Sequence, residues 1–125
     1  MSPSLTEERR ETLVSAARTA IGEDLRSLVY FTPDDWEQLY LRGDLERGAD
    51  LERFADNERL GFTDSRTYGE TELGAYEFTI RAFSRGYVVR VIADDEGAFA
   101  TTDEMPITLF EEVATALRKT LAEAA

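Results

Sequence analysis

Residues 76–93 alternate apolar and polar side chains with a period of two, and this constrains the fold more than any other feature of the chain. Tyr76, Phe78, Ile80 and Ala82 interleave with Glu77, Thr79, Arg81 and Phe83. After a short break, Tyr87, Val89, Val91 and Ala93 interleave with Val88, Arg90 and Ile92. A period of two belongs to a pleated strand, and two such runs so close together form an antiparallel hairpin. Charge selects its register. A two-residue turn that set Arg81 opposite Arg90 would juxtapose like charges. A four-residue loop, Phe83-Ser84-Arg85-Gly86, instead pairs Ile80 with Val89 and Phe78 with Val91, with Gly86 free to take positive φ.

The remaining elements follow from the same patterns. Residues 1–22 read as a helix with Ser4 or Thr6 as cap, Glu7 and Glu8 at its positive end, and Leu13, Ala17, Ala20 and Ile21 at helical spacing before Gly22. Residues 25–31 read as a strand. Thr32-Pro33-Asp34-Asp35 then reads as a helix start, with a hydroxyl cap, proline at the first position and acids in the first turn. The expected helix carries Trp36, Leu39 and Tyr40 on one face and is interrupted at Gly43 and Gly48. A further helix spans about residues 50–60, with Leu51, Phe54 and Ala55 inward, and stops at Gly61. Asp94-Asp95-Glu96-Gly97 is a second hairpin turn into residues 98–102. The final helix starts near Pro106 or Thr108, where Thr108 and Glu111 suggest a capping box, and presents Leu109, Phe110, Val113, Leu117 and Leu121. Without repeat or linker, residues 1–125 form a single α+β domain. Its antiparallel meander sheet is flanked by the N- and C-terminal helices, with two further helices after the first strand.

Composition narrows the milieu and the chemistry. Acids outnumber bases 26 to 14, a net charge of −12, and Lys119 is the one lysine among those bases. Such a surface repels itself in dilute buffer. In molar salt, where the Debye length falls to ~3 Å, it stays hydrated and screened. The expected setting is the cytoplasm of a salt-accumulating organism, a haloarchaeon. The chain has no Cys and no His, so thiolate metal sites, disulfides, cysteine nucleophiles and imidazole bases are excluded, and no cofactor is expected. No apolar run approaches the ~20 residues of a membrane helix, and the arginines are scattered among acids, so neither membrane nor nucleic acid is an expected partner.

The element order resembles profilin-like and roadblock-type small domains, which hold an antiparallel sheet between helices. It departs from them where Pro33 turns the first strand into a helix rather than a second strand. The segments Tyr30-Phe-Thr-Pro-Asp-Asp-Trp36, Asn57-Glu-Arg-Leu-Gly-Phe62 and Gly86-Tyr-Val-Val-Arg90 are similar to small acidic haloarchaeal proteins of uncharacterised function. That likeness implies milieu and size, and no site residues.

Two groups of residues exceed what a plain soluble fold needs. Arg81 and Arg90 share a hairpin face with Phe83, Val88 and Ile92, which is too apolar for open solvent; a terminal helix, a partner or a small anionic ligand would cover it. Trp36, Tyr40 and Tyr30 gather at the first strand-to-helix corner, as core or as interface anchor. Asp94-Asp95-Glu96 and Asp103-Glu104 are solvated turns first and cation ligands second, since their spacing is not that of a calcium loop. The function these features favour is a non-enzymatic interaction module, adaptor or regulatory, acting as a homodimer or with another protein. The alternatives are a sensor that fixes an anion through Arg81 or Arg90, and a divalent-ion-dependent carboxylate enzyme.

Overall fold

The computed structural model describes residues 5–45, 51–68 and 70–123. The expected cap at Ser4, the break at Gly48 and the helix start at residue 50 lie outside them. Helix α1, Glu7–Ile21, is capped by Thr6, whose Oγ1 accepts a hydrogen bond from the Arg9 N–H at 3.1 Å. It ends at Gly22, which takes φ 79° as C-caps do. A short 3-10 turn leads into β1, Leu25–Phe31.

The segment after β1 corrects the sequence expectation: residues 36–41 are a strand, β2 (Trp36–Leu41), paired antiparallel with β1. Thr32 Oγ1 accepts from the Asp34 and Asp35 N–H groups as a helix cap would. The Thr32 N–H, however, closes back onto the Asp35 carbonyl at 2.8 Å, and the chain reverses. The same four residues serve a turn as well as a helix start, and pairing with the buried β1 decides between them.

Helices α2, Leu51–Glu58, and α3, Gly61–Tyr68, follow. Gly61 therefore starts a helix after the break instead of ending the structure there. A two-stranded hairpin, β3 (Glu70–Thr71) and β4 (Gly74–Ala75), precedes β5 (Thr79–Phe83), β6 (Gly86–Ala93) and β7 (Glu96–Thr102). Helix α4, Phe110–Ala122, closes the fold. It opens through a 3-10 turn in which the Leu109 N–H donates to the Pro106 carbonyl, and no side chain caps α4, so the Thr108–Glu111 box does not form.

The main sheet is antiparallel in the order β2-β1-β7-β6-β5. Ile80 faces Val89 and Arg81 faces Val88, the register that keeps Arg81 from lying directly opposite Arg90. Phe83 already pairs with Gly86, so the turn is only Ser84-Arg85, tighter than the expected four-residue loop. Gly86 does not take positive φ; its need is steric, because a Cβ there would strike the Thr102 carbonyl.

Each sheet face is covered. On one, α1 and α4 pack Leu13, Ala17, Phe110, Val113 and Leu117 onto Leu28, Val89, Val91 and Ala100. On the other, Leu51, Ala55 and Phe62 of α2 and α3 pack onto Val29, Phe31, Val88, Ile92 and Phe99. Gly97 permits this second core, since a Cβ there would enter the Phe31 ring. The sheet is thus the middle of three layers.

Candidate functional site

The hairpin face singled out in the sequence is interior. Val88, Arg90 and Ile92 are buried, and the elements that cover them are α2 and α3 rather than a terminal helix or a second molecule. Val88 and Ile92 therefore belong to the interior of the chain, not to its open surface. Phe83, at the end of β5, stays exposed on one side and packs edge-on to Phe54 at a centroid distance of 5.9 Å.

Arg81 and Arg90 converge on one carboxylate that sequence reasoning missed. Glu58, in the last turn of α2, is fully buried. Its Oε1 accepts from Arg90 Nη1 at 3.1 Å and its Oε2 from Arg81 Nε at 2.7 Å. Arg90 Nη2 also donates to Tyr76 Oη and Thr79 Oγ1, each at 2.9 Å, and to Asp64 of α3 at 3.3 Å. Gly61 sits against this guanidinium where any Cβ would collide with it. Burial works against the Arg90 charge, yet the Tyr76 hydroxyl, Glu58 and Asp64 outweigh it and leave its pKa raised. The network fastens α2 and α3 to β5 and β6. A ligand anion at Arg90 would have to displace Glu58 from a closed interior. Glu58 was legible in principle: it falls on the Leu51–Ala55 stripe at helical spacing, where a charged side chain needs a buried partner.

The aromatic corner divides between the two faces. Trp36 packs with the α2–α3 core, whereas Tyr30 and Tyr40 pack with the α1–α4 core. The Arg18 guanidinium stacks over the Tyr40 ring at 5.4 Å. Tyr30 Oη donates to Glu96 at 2.7 Å, and Arg9 binds the same carboxylate with two nitrogens. Arg9 holds the Glu96 pKa down, while burial and then Glu96 push the Tyr30 pKa up.

These pairings place the suspected cation ligands. Glu96 belongs to Arg9, and Asp103 belongs to Arg42 and Arg26, which lower its pKa. The two acids sit at opposite ends of β7, about 23 Å apart at ~3.3 Å per residue, too far to share an ion. Among the described residues no group of three acids is arranged to hold a metal.

What remains open is surface. The sheet has two edges. Edge strand β2 carries a bulge between Leu28 and Val29 of its pairing with β1, and its Glu37 pairs with Arg10 of α1. Edge strand β5 is regular and ends on the exposed Phe83. A groove of about 910 Å³ runs between α1 and β2 past Val14, Arg18, Leu39 and Tyr40. A second, of about 620 Å³, opens at the end of the sheet between Leu51, Phe54, Phe83 and Arg85. Neither reaches Arg81 or Arg90.

A family model described as a domain of unknown function (DUF7522) matches residues 11–122, from α1 to the end of α4. The chain belongs to this family. No curated protein sequence matches it significantly. Solved structures share its fold. An MglB with a tetrameric arrangement superposes with a TM-score of 0.67 at 14% identity, over 100% of both chains. The gliding protein mglB from Thermus thermophilus gives a TM-score of 0.62 at 16% identity, over 99% of this chain and 100% of that one. MglC from Myxococcus xanthus gives a TM-score of 0.53 at 11% identity, over 90% of this chain and 99% of that one. At these identities the likeness is one of fold, and it agrees with the roadblock-type topology read from the sequence. The strand β2 removes the departure that Pro33 had suggested. No helix among the described residues is long and apolar enough to cross a membrane.

Proposed function

We propose that the domain is a non-enzymatic adaptor or regulatory module that works as a homodimer joined through the free edge of β5. One observation carries this reading. Of the six large apolar side chains exposed among the described residues, Leu60, Tyr68, Leu73 and Phe83 lie on the stretch from the end of α2 to the end of β5. Phe83 ends, and the other three precede in sequence, an edge strand whose outer N–H and C=O groups have no partner within the sheet. An unguarded edge flanked by apolar side chains invites a further strand, and a second copy is the commonest source of one. The bulged and ion-paired β2 edge has the features that discourage such pairing. The tetrameric arrangement of one MglB supports self-association on this fold.

Arg81, which points toward α2 from the proposed interface, does not oppose association, because Glu58 and Asp64 together balance Arg81 and Arg90. In light scattering at molar KCl and ~100 µM protein, where a dimer with a Kd near that value is about half formed, the wild type is expected to run as a dimer. Phe83→Lys is expected to run as a monomer with unchanged circular dichroism, since that ring is half exposed. A monomeric wild type, or a Phe83→Lys variant that remains dimeric, contradicts the reading.

The setting we infer is a salt-rich cytoplasm, supported by the net charge of −12. Dilution from molar to ~0.1 M KCl lengthens the Debye length to ~10 Å and restores the self-repulsion. The melting temperature is expected to fall on dilution. An unchanged value contradicts the halophilic setting and leaves the dimer untouched.

A further inference from the structure

The β3–β4 hairpin is a projection that edge pairing alone leaves bare. Glu70 pairs with Ala75 and Thr71 with Gly74, so Glu72 and Leu73 form its tip. Thr71 fixes that tip: its Oγ1 accepts from the Leu73 N–H at 3.0 Å and donates to the Gly74 carbonyl at 3.1 Å, and Gly74 takes φ 98°. The structure thus holds a leucine in a defined conformation at 98% exposure. An isolated two-stranded hairpin is marginal in water, so a fixed apolar tip suits a contact better than a solvent loop.

A receptor for it lies at the far end of β5. The groove of about 620 Å³ there is walled by Leu45, Leu51, Phe54 and Phe83, with the exposed Arg85 at its rim. Its charge complements the hairpin, whose tip carries Glu72. Within one chain the two are separated by the length of β5, about 17 Å for five residues. Antiparallel pairing of two β5 strands about a two-fold axis removes that separation. The start of one strand, where the hairpin is attached through residues 76–78, then lies beside the end of the other.

We infer that the β3–β4 hairpin is an exchanged arm: Leu73 of each copy enters the groove at the end of β5 in the second copy, with Glu72 meeting Arg85 there. This rests on the β5-edge dimer proposed above and names the contact that closes it. A face shared in this way is reciprocal, as a two-fold interface requires.

The absence of native cysteine gives a direct test. Leu73→Cys and Ser84→Cys, prepared separately with tags of different mass, are mixed under a mild oxidant. A mixed disulfide dimer is expected, because a bridge needs Cα atoms within about 7 Å. Each variant alone is expected to link far less. In parallel, Leu73→Asp, which folds normally because Leu73 touches little, is expected to weaken the dimerisation constant about 100-fold in sedimentation equilibrium, roughly tenfold for each of two arms. A wild-type dimer whose constant is unchanged by Leu73→Asp overturns the arm and leaves the β5 edge standing. A dimer that gives no mixed disulfide does the same. A wild type that is monomeric overturns the edge reading itself.

Discussion

Replacing Glu58 by Gln is expected to destabilise the protein by about 3–5 kcal/mol, seen as a lower urea midpoint at an unchanged slope. The size follows from what is left behind. Glu58 and Arg90 are each 1% exposed, and Gln would leave the Arg90 charge with Asp64 alone, a half-exposed carboxylate at 3.3 Å. Tyr76 and Thr79 still accept hydrogen bonds from that guanidinium but carry no charge to balance it. Arg81 suffers less, because its side chain is 39% exposed and can turn toward water. Removing both members of the buried pair is a different experiment. Glu58→Leu with Arg90→Met is expected to recover most of the loss, since an apolar pair of similar volume needs no counter-charge. A loss below about 1 kcal/mol for Glu58→Gln would place the pair with ordinary surface ion pairs and contradict the buried clamp.

Val88→Glu is expected to unfold the chain at neutral pH instead of dissociating it. Val88 is 2% exposed beneath α2, among Val29, Phe99 and Leu51. To remain buried, the new carboxyl must be protonated. From an ordinary Glu pKa near 4.3, that costs about 3.7 kcal/mol at pH 7, at ~1.36 kcal/mol per pH unit. Loss of the valine contacts adds about 1.5–3 kcal/mol. The sum reaches the lower part of the ~5–15 kcal/mol that holds a domain of this size together. The carboxyl's pKa is raised in the folded state, so the penalty shrinks as pH falls toward the unfolded value. Circular dichroism should therefore show the variant regaining structure between about pH 7 and pH 5. A folded, monomeric Val88→Glu protein at pH 7 would mean that α2 does not cover this strand.

The strands β5 and β6 were legible from their period of two, β1 from its run of Leu, Val, Tyr and Phe, β7 from the Asp94–Gly97 turn before it, and the β5–β6 register from the cost of setting Arg81 directly opposite Arg90. Strand β2 was not legible. Thr32-Pro33-Asp34-Asp35 has the chemistry of a helix start and of a tight turn, and only the open flank of β1 distinguishes them. Helix α3 was hidden by Gly61, which reads as a terminator until Arg90 is seen to occupy the space its missing side chain leaves. The surplus apolar character around Arg81 and Arg90 was a sound signal of a covered face. What covers it, α2 and α3, is held there by Leu51, Ala55 and Phe62 and by the one carboxylate that binds both arginines. One-dimensional patterns locate such a face but do not say which element lies on it. Among the residues marked for recognition, Phe83 is the most open at the β5 edge, while Val88, Arg90 and Ile92 beside it in the pattern turn inward.

In the proposed dimer β5, and not β2, is the edge through which two copies meet. Hydrogen exchange measured across protein concentrations from about 1 to 200 µM at molar KCl reads both edges in one sample. Amides of residues 79–83 are expected to gain protection as concentration rises, while those of residues 36–41 exchange at a constant rate. Concentration-dependent protection confined to residues 36–41, or at neither edge, would contradict it.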